Sequence, residues 1–333
     1  MSVGFLNLLE VILNGLMVGM LYSLVALGFV LIFKASGIFN YAQGVMALFA
    51  ALTLVGLQTG QVPFAHLINA TFGTSLHHFD WALAPVVAVV LTVAVMIALA
   101  FLVERLLLRH LVNQEPIILF MATIGLAYFL EGLGDLMWGA DVKPVDIGLP
   151  SGGSIWLEEL TAGWAAEGER YWGMYIDRLD IAAMVVAAVL VISLTLFSQY
   201  TKTGRALRAV ADDHQAALSV GISLRTIWVI TWSIAGIVAL VAGVMWGAKS
   251  GIQFSLSLIA LKALPVLILG GFTSIPGAIV GGLIIGVGEK LFEFSIGPMI
   301  GGATENWFAY VLALVFLMFR PQGLFGERII ERV

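Results

Sequence analysis

The feature that most restricts the fold of this sequence is a succession of apolar runs. Several approach the roughly 20 residues that an α-helix needs to cross a bilayer. Nine are legible, at residues 8–33, 37–57, 82–103, 117–138, 181–197, 227–246, 254–269, 277–291 and 307–319. The chain of 333 residues is 60% hydrophobic and 11% charged, where a soluble domain carries roughly a quarter charged residues. Length alone would allow about two soluble domains, but the apolar runs override that expectation. The expected fold is an all-α integral membrane protein, one transmembrane domain over residues 1–333 with about nine transmembrane or partly spanning helices. The seventh and eighth runs are short and rich in glycine and proline, so they read either as half-helices or as a pair that does not fully cross.

Lysines and arginines of short loops mark the cytoplasmic side. Counting nine spans, Lys34, Arg105, Arg109, Lys202, Arg205, Arg208, Arg225, Arg320, Arg328 and Arg332 fall on one side. This places the N-terminus outside and the C-terminus in the cytoplasm. The opposite face carries an outer loop at about 139–180. It holds Asp141, Asp146, Glu158, Glu159, Glu167, Glu169, Asp177 and Asp180 against Lys143, Arg170 and Arg178. Its Trp156, Trp164, Tyr171, Trp172 and Tyr175 suggest a partly interfacial cap. No basic stretch precedes the first apolar run, so that run is expected to remain as a span rather than be cleaved. With no cysteine and five scattered histidines, disulfides and thiolate metal sites are excluded and no metal-ligand spacing appears.

A cytoplasmic loop at about 198–226 contains a segment, 204–221, too charged to span and built of good helix formers. Leu207, Val210, Ala211, His214, Ala217, Leu218 and Gly221 follow the spacing of one helix face, and Arg205, Arg208, Asp212, Gln215 and Ser219 fall elsewhere. Two readings stand. The helix lies on lipid headgroups with Arg205 and Arg208 at phosphates, or its shallow, alanine-rich face seats in a groove of another protein.

At these residues the chain resembles a known family. The segment 204–221 looks like the coupling loop of ABC importer permeases, and the whole chain resembles the branched-chain amino acid permease family. The stretches carrying the likeness run from the first span to the tail. They are Asn14-Gly15-Leu16 through Gly28, Gly37-Ile38-Phe39-Asn40-Tyr41-Ala42-Gln43-Gly44, and Gly204-Arg205-Ala206 through Gly221-Ile222. Further along come Lys262-Ala263, Leu269-Gly270-Gly271-Phe272-Thr273-Ser274-Ile275-Pro276-Gly277-Ala278, Gly281-Gly282, and Arg320-Pro321-Gln322-Gly323-Leu324-Phe325-Gly326. Gln43 stands where the family often has histidine, and the outer loop is longer than the family pattern.

The resemblance implies a permease in a bacterial inner membrane. It would pair with a second permease subunit, identical or homologous, and accept substrate from an extracytoplasmic binding protein. Two cytoplasmic ATPase subunits would dock on the coupling loop, where Arg205, Arg208, Asp212, Asp213, Ala217 and Gly221 are the contact candidates. ATP and Mg would be held by those partners, since this chain has no phosphate loop of its own and no cofactor is expected on it. Branched-chain amino acids are the family's substrates, with urea, amides and organic carboxylates as alternatives. Nucleic acid is not an expected partner.

Polar side chains inside spans are functional candidates by default. Asn40, Tyr41 and Gln43 sit between Gly37 and Gly44, where a break in the helix would expose backbone to a cavity. They either line the translocation pathway or bond a neighbouring helix. Lys262, in the seventh run, needs water or an acid, with Glu289 and Glu131 as candidate partners. A structural ion pair and a gate both fit. Glu131 and Asp135 share a face of the fourth run, lining an outer vestibule or reaching water. Gly15-x-x-x-Gly19, Gly277-x-x-x-Gly281 and Gly282-x-x-x-Gly286 allow close helix approach.

A stand-alone secondary transporter or channel is the competing class, since these intramembrane charges could serve a proton relay, but such a carrier has no need of the 204–221 helix. An enzyme lacks support, because no Gly-x-Ser-x-Gly, paired intramembrane aspartates or His-Glu-x-x-His is present, and no catalytic residue is assigned. The orientation is testable with single cysteines. Glu167→Cys is expected to react with an impermeant thiol reagent in intact cells and Gln215→Cys is not. The reverse labelling would overturn the topology.

Overall fold

The computed structural model describes residues 2–75, 78–79, 83–111, 114–164 and 172–326. Ala82, Glu167, Glu169, Arg170, Tyr171, Arg328 and Arg332 lie outside the described residues. Fourteen α-helices follow one another: α1 (Val3–Ser36), α2 (Gln43–Gln58), α3 (Ala65–Phe72), α4 (Pro85–Leu106), α5 (Pro116–Trp138), α6 (Ile155–Ala162), α7 (Arg178–Tyr200), α8 (Lys202–Asp212), α9 (His214–Ser219), α10 (Leu224–Ser250), α11 (Ile259–Gly270), α12 (Ile275–Ser295), α13 (Gly297–Ile300) and α14 (Phe308–Phe319). Among the described residues β-pairing is confined to isolated bridges.

Each of the nine apolar runs coincides with a helix. Among the described residues six helices are long and apolar enough to cross a membrane: α1, α4 with the short turn after it, α5, α7, α10 and α12. The helices α2, α14, and α11 with the 3₁₀ turn before it are shorter. The eighth run departs from the half-helix reading, because α12 is a continuous helix of 21 residues. Its glycines serve close packing and leave the helix unbroken. The seventh run is interrupted, with a 3₁₀ turn at Phe254–Leu258 leading into the 12 residues of α11.

The chain forms two compact units, one of residues 1–26, 148–191 and 262–333, the other of residues 27–147 and 192–261. In the second unit α2 is the centre, buried from Gln43 to Gly56 and packed by α4, α5, α10 and the 254–258 turn. Contacts there are at backbone distance. A methyl built on Gly44 would stand 2.1 Å from the Ser257 carbonyl oxygen, and one on Gly243 2.2 Å from that of Ala47. Gly56 leaves room for the ring of fully buried Trp138.

The end of α2 ties down the loop after α5. Gln61 Nε2 donates to the Trp138 carbonyl at 2.7 Å, Lys143 Nζ donates to Gln61 Oε1 at 3.0 Å, and Gln58 donates to the Asp146 carbonyl. Lys143 also pairs by backbone with Ile252. Partial burial pushes the Lys143 pKa below its ordinary value, against the opposing pull of Asp141.

In the first unit α1 packs closely on α12 at its glycines. A methyl on Gly19 would lie 2.6 Å from the Gly282 carbonyl oxygen, one on Gly15 2.7 Å from Val287 Cα, and one on Gly286 2.4 Å from the Gly15 carbonyl oxygen. Lipid supplies no hydrophobic drive to join helices, so such close backbone packing takes its place. Ser23 Oγ adds bonds to the carbonyls of Gly19 at 2.8 Å and Ile279 at 3.2 Å. The α11–α12 hairpin uses the same device, Gly270 meeting Gly277 and Gly281 meeting Val266. Its turn is held by the tail, where Leu324 N donates to the Leu269 carbonyl at 2.8 Å and Phe325 N to that of Gly270 at 3.2 Å. The short helix α6 is anchored by Ser154 to Ile176 and by the Met174 amide donating to Thr161 Oγ1 at 2.7 Å.

Gly19→Ala and Gly282→Ala are therefore expected to lower the thermal midpoint in detergent, each costing about 1–3 kcal/mol by overpacking. Gly125→Ala in α5, where a methyl meets nothing within 4 Å, is the control and should leave the midpoint unchanged or raise it. Equal behaviour of all three would refute the glycine-contact account.

Candidate functional site

The break between α1 and α2 is built from the sequence between its glycines. The Ser36 hydroxyl bonds back to the Ile32 carbonyl at 2.7 Å, and Gly37 takes φ +68°, a left-handed conformation that glycine adopts freely. The Phe39 ring then stacks on Phe29 with centroids 5.1 Å apart. Asn40 Oδ1 accepts from the Ala42 amide at 3.2 Å, Asn40 Nδ2 donates to Gln43 Oε1 at 3.3 Å, and Gln43 Nε2 donates to the Ala235 carbonyl at 3.3 Å. Asn40 and Gln43 are buried, and Gly28 makes space for the Gln43 side chain. The two amides thus satisfy each other and a kink that would otherwise strand backbone groups in an apolar interior. Tyr41 is half-buried, the one of the three with an exposed edge, and rests edge-on against Phe120 at 6.1 Å.

Thr123 completes this kink and had no signal in the sequence beyond being a threonine in an apolar run. Its hydroxyl accepts from the Tyr41 amide at 3.1 Å and lies 3.2 Å from the Phe39 carbonyl and 2.8 Å from that of Phe120. Glu131, on the same helix α5, is half-exposed with exposed Asp135 one turn further.

The second cluster belongs to the other unit and gathers around Tyr22. Its hydroxyl donates to Glu289 Oε2 at 2.8 Å and accepts from Lys262 Nζ at 3.3 Å. The ammonium also sits 5.7 Å from the Tyr22 ring centroid and 3.5 Å from the Glu305 carbonyl oxygen. Lys262 and Glu289 are thus linked through one phenol rather than in direct contact. Glu289 is fully buried, and its Oε1 has no hydrogen-bond partner among the described residues. Beside it Lys290 Nζ meets Glu305 Oε1 at 2.6 Å, and Glu293 Oε2 accepts from the Thr304 amide at 2.7 Å and from the Thr304 hydroxyl. These contacts fasten the segment between α13 and α14 over the end of α12. The cluster lies at the end of the α11–α12 hairpin opposite its turn and the tail. Tyr22 and Glu305 were missed by sequence reasoning, because nothing in linear spacing relates position 22 to 289.

The loop after α7 differs from the single helix expected over 204–221. It is two helices, α8 and α9, parted at Asp213, whose backbone is extended at φ −155°. The Asp213 carboxylate caps α9, accepting from the amides of Gln215 at 2.8 Å and Ala216 at 3.0 Å. Thr201 caps α8 in the same way through Gly204. Capping supplies acceptors for amides that lack helical partners, so an aspartate at this point favours a second start over one long helix.

The apolar face also corrects the expectation. Leu207, Val210 and Ala217 form a core with Ala35 and Ile227 of the same unit, so they seat the loop on its own chain instead of facing a partner. Arg205, Asp212, Asp213, Gln215, Leu218, Val220 and Gly221 remain exposed, with Arg208 half-buried. The base is held by Trp228 Nε1 donating to the Ala35 carbonyl at 3.2 Å. Arg225 Nε meets buried Glu104 Oε2 at 3.3 Å nearby.

Against known proteins, residues 11–320 match the model of a family described as the permease component of branched-chain amino acid transport systems. The high-affinity branched-chain amino acid transport permease LivH of Salmonella typhimurium is 28% identical, and LivH of Escherichia coli K12 is 28% identical, each over 100% of both chains. BraD of Pseudomonas aeruginosa, of the same description, is 29% identical over 98% of both. Among solved structures, PsaBC from Streptococcus pneumoniae in complex with Fab aligns over 94% of this chain and 92% of that one, at 12% identity and a TM-score of 0.43, a likeness too slight to add to the family match.

The Tyr22 cluster generates a test. Lys262→Met keeps the stem and removes the charge, leaving Glu289 buried beside a phenol alone. Leaving a buried charged group short of its partners costs about 1–3 kcal/mol, so extracted yield and uptake should both fall, with partial recovery in Lys262→Met/Glu289→Gln. Tyr22→Phe should resemble the single variant, since the phenol carries the link. Normal yield and uptake for Lys262→Met would mean that the charge is idle.

Proposed function

Because the chain belongs to the family of branched-chain amino acid transport system permease components, we propose that it is one membrane-spanning subunit of an ATP-driven importer, forming half of a translocation pathway. The observation that carries this reading is the family match over nearly the whole chain, together with full-length relatives described as high-affinity branched-chain amino acid permeases. Permease subunits are transport components. Hydrolysis of ATP with Mg is assigned to two separate cytoplasmic subunits. A second permease subunit and an extracytoplasmic binding protein complete the machine, in a bacterial inner membrane with the N-terminus outside.

The α8–α9 loop is the proposed grip of the ATPases. Its seat on Ala35 and Ile227 would carry a push into the ends of α1 and α10. The exposed tip offers Asp212, Asp213, Leu218, Val220 and Gly221 to the partner. Ala217, buried in the seat, acts from beneath. Gly221 takes φ +84°, so a side chain there strains the tip by roughly 1 kcal/mol. Within the membrane, Tyr41, Glu131 and the Lys262–Tyr22–Glu289 chain are the proposed pathway elements, with Asn40 and Gln43 holding the kink beside Tyr41.

The test has two arms. Leu218→Asp/Val220→Asp is expected to abolish copurification of the ATPase subunits or cut ATP-driven uptake at least tenfold, while leaving the thermal midpoint of the permease unchanged. Unchanged binding and uptake would remove the loop from the contact. In proteoliposomes carrying the full set of subunits, leucine, isoleucine or valine should be taken up only with ATP inside the lumen that faces the ATPases. ATP-driven uptake of urea, an amide or an organic carboxylate in their place would shift the substrate. Uptake that ignores ATP and follows a proton gradient would favour a secondary transporter.

A further inference from the structure

Splitting the cytoplasmic loop into two helices also segregates its charge. The helix α8 opens with Lys202, Arg205 and Arg208, and its first carboxylate is Asp212, at its end. Residues 202, 205, 208 and 209 fall on one side of a helix, and Lys202 and Arg205 are exposed there. The opposite side, Gly204, Leu207 and Val210, is buried. Of the four cations in this loop, Arg225 is committed to Glu104. The basic stripe of α8 has no carboxylate partner among the described residues.

The position of the stripe relative to the span before it is set by a tight elbow. A methyl on Gly204 would lie 2.3 Å from the Phe197 carbonyl oxygen, so the first turn of α8 folds against the last turn of α7. Arg208 Nη2 then reaches back to the Gln199 carbonyl at 3.4 Å. On that last stretch of α7, Ile192, Leu196 and Tyr200 are 57%, 50% and 72% exposed. At i, i+4 and i+8 they form one outward apolar stripe on a helix long and apolar enough to span. The stripe ends in a tyrosine, the residue that prefers the headgroup level, and the basic face of α8 begins two residues later.

From this juxtaposition we infer that the α7–α8 elbow is a binding site for an anionic phospholipid, its phosphate held by Lys202, Arg205 and Arg208 and one acyl chain lying along Leu196 and Ile192. The occupant is a lipid because the cations are continuous with an exposed apolar stripe of membrane depth, which a free anion has no use for. Tyr200 covers the boundary between the two. The acidic and apolar tip beyond Asp212 is left to the protein partner, so the two halves of the loop address different surfaces. Anionic lipid would thereby pin the base of a loop whose tip is pushed.

The site is independent of the transported solute and is testable on the delipidated chain alone by native mass spectrometry, titrating with phosphatidylglycerol and separately with phosphatidylcholine. The wild-type chain should retain phosphatidylglycerol in preference. Each cation near an anionic lipid surface is worth about 1 kcal/mol, so affinity should drop roughly fivefold for each one removed in the series Lys202→Gln, Lys202→Gln/Arg205→Gln, and the triple variant with Arg208→Gln. Arg105→Gln/Arg109→Gln, which removes two exposed cations elsewhere, should bind as the wild type does. Should the triple variant fail to fold, the Lys202→Gln and Arg205→Gln singles carry the test, since both side chains are exposed. The inference is overturned by equal retention of phosphatidylcholine, by undiminished phosphatidylglycerol binding in the variants, or by an equal loss in the control. Lost ATPase capture with lipid binding intact would likewise overturn it and assign the stripe to the protein partner.

Discussion

Close backbone approach at glycine is the interaction on which both units depend. In water, helices associate to remove apolar side chains from solvent. In lipid that drive is absent, and dispersion contact and polar satisfaction take over. Gly15 and Gly19 against Gly282 and Gly286, Gly270 against Gly277, and Gly44 and Gly243 against carbonyls of neighbouring segments all bring helices within reach of main-chain atoms. The other features follow from that closeness. Ser23 reaches a carbonyl of α12, and Tyr22, one residue earlier on α1, reaches Glu289 further along α12.

Polar groups in the apolar interior are handled in two distinct ways. At the α1–α2 kink, Asn40, Gln43 and Thr123 bond each other and nearby backbone groups, leaving a satisfied structural break. Around Tyr22, satisfaction is incomplete, because one buried oxygen of Glu289 has no hydrogen-bond partner among the described residues and Lys262 reaches its acid through a phenol. An unmade bond at a buried charged group is expensive, and such a cluster is sensitive to small displacements of α11 or α12.

The α8–α9 loop shows how one capping residue changes a functional reading. Periodicity over 204–221 described part of a face, since Leu207, Val210 and Ala217 lie together while Leu218 and Gly221 are exposed. It left open what that face would meet, and the answer is the protein's own Ala35 and Ile227. What remains outward is divided by charge, basic on α8 and acidic or apolar from Asp212 onward.

By itself the sequence determined the membrane class, the apolar runs that the helices overlap and the glycine pairs that allow close packing. Each of these is written in local composition and spacing, and a helix satisfies its own backbone without reference to the rest of the chain. The residues around position 204 and those from 262 to 282 also carried the family likeness. Tertiary structure alone decided which acid Lys262 answers to, that Thr123 and Gln61 are anchors, that α12 runs unbroken through its glycines, and which face of α8 is covered. Those outcomes depend on distances between residues separated by up to 267 positions, and side-chain period within one helix holds no information about what another helix brings to meet it.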